Sequence, residues 1–348
     1  MSSDTIRRLL GTKLPIIQAP MAGVQDSALT IAVCQAGGLG SLPCGMLNTD
    51  NLVNEIRRIK AATNAPYNLN FMCHDMPAYD EKKHSEWQAQ LAPYFDELDT
   101  EYDKRAKSPS RLPFNHAVAD AIEPFSPEFI SFHYGLPDPD LLARIKQWGT
   151  TIVSSATTVD EAIWLEERGA DGIIAQGIEA GGHRGMFLSD DINTQTRMSV
   201  LVAQLANKVN LPIIAAGGIG NNRDVKAALL LGADGVQIGT AYLLCTEAKT
   251  SQLHRLAIKS DRSQHTALTT IFSGKPARGI VNRAMKELGN VNPMVPAFPY
   301  ASIEMTQLRS HAEKRNSDDF SPLWSGENTS GCKEISASEL TTQLSAGC

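Results

Sequence analysis

The chain has 348 residues, 42% hydrophobic and 20% charged, an ordinary globular composition that fits one large domain or two modest ones. A formal net charge of −6 gives no basic footprint for nucleic acid or an anionic membrane, while small anionic substrates remain allowed. No apolar run approaches the ~20 residues of a membrane helix, and no apolar stretch of a secretory signal follows Arg7 and Arg8, so a cytoplasmic protein is expected.

One pattern repeats along the chain: a short apolar run, a turn, then a helical segment. Leu14–Met21 is the first run, with a helix expected over Ala28–Ala36. Leu39–Pro43 leads to a helix over Thr49–Ala61, and Tyr67–Cys73 is the third run. Phe129–Gly135 precedes a helix over Asp138–Trp148, and Thr151–Ala156 one over Val159–Arg168. Gly172–Gln176 is followed by a helix near Arg197–Asn207, and Pro212–Ala216 by one over Asn222–Leu231. Gly235–Leu243 is the eighth run, with a helix expected after Glu247. Continuous apolar runs suit parallel strands buried on both faces, joined by right-handed crossovers. The two GADG tags, at 169–172 and 232–235, place a glycine where each helix ends. Eight such units predict a TIM-type (β/α)₈ barrel.

Such a barrel uses about 250 of the residues, which leaves room for insertions. Barrel assignments are expected at 1–75, 126–250 and 306–327, with cap insertions at 76–125 and 251–305. The first insertion carries an amphipathic helix near Glu81–Leu98 and then a polar loop; the second holds SGKPARG at 273–279 and a Pro-rich run at 291–300. The tail at 328–348 reads as a weak helix or disorder, with no chemistry. Cys34, Cys44, Cys73, Cys245, Cys332 and Cys348 are scattered, without a CxxC pair or a histidine at metal spacing; free thiols and no metal are expected.

AAGGIGNNRDV at 215–225 follows the seventh run and opens a helix. Gly217 and Gly218 allow close approach to an anion, and helix N-terminal amides add positive potential. The eighth run carries Gln237, Ile238, Gly239 and Thr240. Loops after strands seven and eight are the recurrent phosphate site of this fold. Neither GxGxxG after a strand nor GxxxxGK[ST] occurs, and flavin mononucleotide (FMN) fits with its ring across the strand ends.

GIEAGGHRG at 177–185 follows the sixth run. Its glycines, Gly181 among them, suit a loop lying flat against a ring, and His183 is its acid–base group at neutral pH. Gln176 could bond the ring or hold the core. Met21 and Ala22, after the first run, could face one side of the ring. Asn70 reads either as a ligand contact or as strand-end structure. His133 is equally open between pocket and structural donor, and Tyr300 and Lys275 are cap candidates for the substrate.

These residues resemble a known family. QAPMAG at 18–23, AGGLG at 36–40, the 176–185 loop, AAGGIG at 215–220 and QIGT at 237–240 are similar to the nitronate monooxygenases, formerly 2-nitropropane dioxygenases. PYFDEL at 93–98, SFHYGLP at 131–137, GKPARGIVNR at 274–283 and PLWSG at 322–326 resemble their bacterial class I members. The resemblance implies an FMN-dependent enzyme that oxidises alkyl nitronates, propionate 3-nitronate above all, with O₂ to a carbonyl compound and nitrite. It implies no need for NAD(P)H. A detoxifying role and a monomer or homodimer are expected besides. His183 matches the catalytic base; Asn70, Gln176, Gly181, Gly218 and Gln237–Thr240 match the FMN contacts; His133 and, more loosely, Tyr300 match substrate-pocket residues. AGVQDS at 22–27 departs from the Pro-containing turn of many relatives. The rival enzyme is a flavin enoyl-thioester reductase using NAD(P)H, which shares an EAGGH-like loop. An IMP dehydrogenase-like barrel would need a cysteine on the loop that carries His183, and a non-enzymatic flavin binder would not need the base.

Overall fold

A computed structural model describes residues 3–103 and 111–348; residues 104–110 of the polar loop in the first insertion lie outside the described residues. Eight parallel strands form the barrel: β1 (Ile16–Gln18), β2 (Gly40–Pro43), β3 (Tyr67–Met72), β4 (Phe129–His133), β5 (Thr151–Ala156), β6 (Gly172–Gln176), β8 (Ile213–Ala216) and β9 (Gly235–Ile238). A two-residue strand, β7 (Gly182–His183), lies outside it. The order is β1-β9-β8-β6-β5-β4-β3-β2, and Leu39 closes the ring: it donates to the Ile16 carbonyl at 2.8 Å and accepts from the Gln18 amide at 3.0 Å.

The helices in chain order are α1 (Ser3–Leu10), α2 (Ser27–Gln35), α3 (Thr49–Ala62), α4 (Glu81–Glu97), α5 (His116–Ile122), α6 (Pro139–Gln147) and α7 (Val159–Glu167). They continue with α8 (Met198–Leu205), α9 (Asn222–Leu230), α10 (Gln252–Lys259), α11 (Arg283–Leu288), α12 (Ser302–Lys314) and α13 (Ala337–Ser345). Most begin where an Asn, Asp, Ser or Thr side chain caps an early amide, as Asn48, Asp80 and Thr158 do. Among the described residues no helix is long and apolar enough to cross a membrane.

Three expectations need correction. The first apolar run is strand only over Ile16–Gln18, because Gln25 accepts from the Met21 amide at 2.9 Å and pulls 19–25 into a separate loop. The eighth run stops at Ile238 and turns into a 3₁₀ helix over Thr240–Leu244. The third concerns the tail. Ala337, Leu340 and Leu344 of α13 are buried in the barrel's main hydrophobic cluster, and α13 packs against α2 and α9. It takes the place of the eighth barrel helix, which was expected after Glu247; α10 there packs instead with Leu243, Leu244, Ile280 and Leu323.

The two insertions share one core. Trp87, Leu91 and Phe95 of α4 pack with Ile271, Phe272, Met285 and Met305 from the second insertion and with Leu308 just beyond it on α12. Strands β10 (Thr266–Thr269) and β11 (Ala277–Ile280) pair antiparallel, and β11 pairs in turn with β7, matching Ala277 with His183. The loop that leaves barrel strand β6 is thus an edge of the cap sheet. At the opposite end of the barrel Ile6 and Leu10 of α1 plug the floor, packed with Ile17, Leu39, Phe129 and Ile214.

Candidate active site

A cavity opens at the C-terminal ends of the barrel strands. Met21, Ala22, Asn70, His133, Gln176, Gly181, His183, Gly217, Gly218, Gln237, Ile238, Gly239 and Thr240 all line it. Tyr300 does not line it; its half-buried ring stands edge-on to Tyr79 and His84 in the cap. Sequence reasoning did not single out Arg111, His254, Trp324 and Asn328, which also line the cavity. These residues sit on segments with no strand-end signature, three of them after residue 250, so only the fold brings them to the mouth.

His183 is held from several sides. Its carbonyl accepts from Gln176 Nε2 at 2.9 Å and from His133 Nε2 at 3.2 Å. Its own Nε2 lies 2.8 Å from Ser273 Oγ, and that hydroxyl donates to the Lys275 carbonyl at 3.3 Å. Ser273 therefore accepts from Nε2–H of His183, which leaves Nδ1 as the basic nitrogen. Burial, followed by the charges of Arg111, His133, Lys275 and His74, holds the imidazole well below its ordinary value of 6.5. The ring is neutral near pH 7.

His133 spends both ring nitrogens on the protein. Nε2 donates to the His183 carbonyl, so Nδ1 accepts from Ser155 Oγ at 3.1 Å. Burial takes its value down to about 4. Gln176 is similarly committed: its other end accepts from the Gly185 amide at 2.8 Å. Both residues face the cavity and both brace the loop that carries His183. Asn70 Nδ2 donates to Ser131 Oγ at 2.9 Å, continuing a polar layer in which the buried Asn68 bonds Ser41 and Ser131.

The loop's glycines mostly serve packing. A Cβ on Gly177 would stand 2.2 Å from the Met198 amide, and one on Gly181 would stand 2.5 Å from that of Gly326; only Gly182 faces open space. Glu179 is buried and accepts the Met198 amide at 3.0 and 3.1 Å with its two oxygens, closing the start of α8.

On the far side of the barrel, Gly217 and Gly218 take φ of +118° and +71°, which bends the backbone after β8 along the cavity. The second and third amides of α9 are not available to an anion, since Asn221 Oδ1 accepts those of Arg223 and Asp224. An anion there would rest on the loops at 217–219 and 239–240 instead. Gln237 Oε1 is buried beside them without a hydrogen-bond partner. An orphaned acceptor between two glycine-bearing loops fits a polar cofactor. Thr240 Oγ1 accepts from the Gly326 amide at 2.9 Å, and Asn328 donates to the Gly218 carbonyl at 2.8 Å, so the chain after residue 325 braces both loops. None of the six cysteines is disulfide-bonded, and burial raises the thiols of Cys44, Cys73 and Cys245 out of the reactive range.

Comparison with known proteins agrees with this geometry. A sequence model of the family described as "Nitronate monooxygenase" matches residues 3–347. A nitronate monooxygenase of Paraburkholderia phytofirmans is 38% identical over 97% of this chain and 92% of its own. One from Pseudomonas aeruginosa is 37% identical over 98% of both chains. Among solved structures, a nitroalkane oxidase from Streptomyces ansochromogenes superposes with a TM-score of 0.89 at 35% identity, covering 99% of this chain and 97% of that one. FabK from Thermotoga maritima, at 24% identity and a TM-score of 0.72 over 98% and 94% of the two chains, shares the fold. The chain belongs to the nitronate monooxygenase family of flavin-dependent enzymes.

Proposed function

We propose that the protein oxidises alkyl nitronates with O₂ to a carbonyl compound and nitrite, using bound FMN and no NAD(P)H. One observation carries this reading: a neutral His183 faces a cavity that Arg111 also lines, and no Asp or Glu among the described residues lines it. Such a pocket attracts an anion, and a nitronate is an anion with a carbon rich enough in electrons to be oxidised.

The loops at 217–219 and 239–240, with Gln237 and Asn70, would hold the flavin, which supplies the electron-accepting chemistry and the reaction with O₂. The protein positions the substrate, supplies positive potential and excludes water. Gln176 and His133 hold the His183 carbonyl and Ser273 holds its ring, so Nδ1 would be left to the substrate without reorganisation. Because burial and then the neighbouring positive groups oppose protonation, His183 is a weak base until an anion is bound. This favours substrates that arrive already deprotonated over neutral nitroalkanes.

The purified yellow protein, mixed with propionate 3-nitronate and air without NAD(P)H, should release nitrite. Absence of nitrite, with NADH oxidised on adding an enoyl thioester, refutes the reading. His183→Asn should keep its flavin and lose about 100-fold or more on any neutral nitroalkane that the native enzyme uses, the usual worth of a general base. Nitronate oxidation should fall far less.

A further inference from the structure

Strand β11 carries Ala277, Arg278 and Gly279 in succession, and the alternation of a strand puts the two smallest of these on one face. His183 stands opposite Ala277 and Trp324 opposite Gly279, on the segments to either side. Directly opposed residues share a face. The imidazole and the indole therefore rise from the same face of the cap sheet, with nothing larger than a methyl group between them. Their ring centroids are 5.4 Å apart at an interplanar angle of 63°, and both residues line the cavity. Arg278 takes the opposite face, where its Nε donates to the Ile178 carbonyl at 2.9 Å.

The indole has little room to retreat. A Cβ on Gly279 would lie 3.1 Å from Trp324 Cε3, so the ring rests on bare backbone. Phe272 of the cap core stands edge-on to it at 5.6 Å. The backbone on either side is stitched to β11: the Ile280 amide donates to the Leu323 carbonyl at 2.9 Å, and the Ser325 amide to that of Arg278 at 3.3 Å. A substrate whose reacting carbon meets His183 thus has the groups on that carbon beside a fixed, half-buried aromatic ring. We infer that Trp324 is a specificity-determining wall of the pocket, which admits nitronates with slender groups on the reacting carbon and rejects those with a ring or a bulky branch there. This wall presupposes the nitronate reading given above and adds to it the choice among nitronates. It acts by exclusion, because a well-packed aromatic makes room for added methylenes only by displacing its neighbours.

The test uses the flavin-loaded full chain and two pairs of ligands. Ethyl nitronate and cyclohexyl nitronate share the charge and the reacting group and differ in bulk at the reacting carbon. Propionate and cyclohexanecarboxylate are unreactive analogues of the same two shapes. The native protein should show kcat/KM at least about tenfold higher on ethyl nitronate, and should bind propionate at least about tenfold more tightly, read from the flavin absorbance. Trp324→Leu should raise kcat/KM on cyclohexyl nitronate about tenfold or more and lower it on ethyl nitronate, so that the preference narrows or reverses. Trp324→Phe should fall between the two. A gain on the bulky substrate is a result that mere damage to the fold does not produce. A native enzyme that prefers cyclohexyl nitronate, a Trp324→Leu variant that loses equally on both, or one that sheds its flavin and gains nothing each overturns the assignment. If no nitronate is oxidised, the functional reading fails, and the preference for propionate and its reversal in Trp324→Leu still decide the wall. A melting curve and a flavin content for each variant ensure that folded, loaded proteins are compared.

Discussion

Arg184 follows His183 in the chain, is fully buried, and donates three hydrogen bonds: to the Gly177 carbonyl at 2.6 Å, the Gln176 carbonyl at 2.7 Å and Gln195 Oε1 at 2.9 Å. It ties the two ends of the His183 loop together from behind. Burial lowers its value to about 10, still far above neutrality, so the fork stays charged. Arg184→Met would orphan three acceptors at about 1 kcal/mol each, a loss of about 3 kcal/mol or more. We expect a lower urea midpoint and a displaced His183, seen as weaker nitrite release from any neutral nitroalkane the enzyme uses, even in the folded fraction. Arg184→Lys should not restore it, because one ammonium cannot reproduce the fork. A lysine variant as stable as wild type would show that the charge alone suffices. The glycine-rich loop with its histidine was legible in the sequence. The support beneath it was not, since nothing in the letters says which of two adjacent cations faces inward.

At the scale of elements, the repeated GADG tags do more than end helices. The Asp171 carboxylate accepts the Ile152 amide at 2.8 Å and the Asp234 carboxylate accepts that of Ile213 at 2.9 Å, pinning the start of one barrel strand to the start of the next. The repeat exposed the strands for this reason: each unit is a local signal of residues close in sequence. The helix α13 had no such signal. It is short and follows the long excursion through the cap, so its polar surroundings read as a tail. Its burial is a tertiary fact. Removing residues 337–348 would expose the groove between α2 and α9, strip Leu340 and Leu344 from the core, and free the Tyr242 hydroxyl from Thr341, 2.8 Å away. The lost apolar burial alone is worth roughly 4–7 kcal/mol. The truncated protein should be insoluble or melt far below the full chain; a truncation that melts within a few degrees of it would show α13 to be dispensable.

At the scale of the whole molecule, neutral buried histidines set the acid limit. Burial lowers His74, His133 and His254 to about 4, from an ordinary value of 6.5. The folded state therefore resists protons that the unfolded chain takes up, and stability falls as pH drops from about 6.5 towards about 4, then levels off for these groups. Each contributes a slope of up to about 1.4 kcal/mol per pH unit in that window. Thermal melts between pH 7.5 and 4.5 should show a steady decline, shallower in a His254→Gln variant. A flat profile would mean that these rings are charged in the folded protein. The barrel, the phosphate-side loops and the base were readable because each rests on a strand end and its following turn. The cap core and the cavity residues Arg111, His254 and Trp324 were not, because the contacts that place them join segments far apart in the chain.

The pairing of β7 with β11 places His183 on a strand that belongs to the cap sheet, one step from a barrel strand. The enzyme is thereby interlocked. Any movement that parts the cap sheet from this edge also withdraws Ser273 and releases the base from its fixed orientation. A pocket open to bulk water is then a pocket with no aligned base, and proton abstraction from a neutral nitroalkane becomes a direct report on whether the cap is seated.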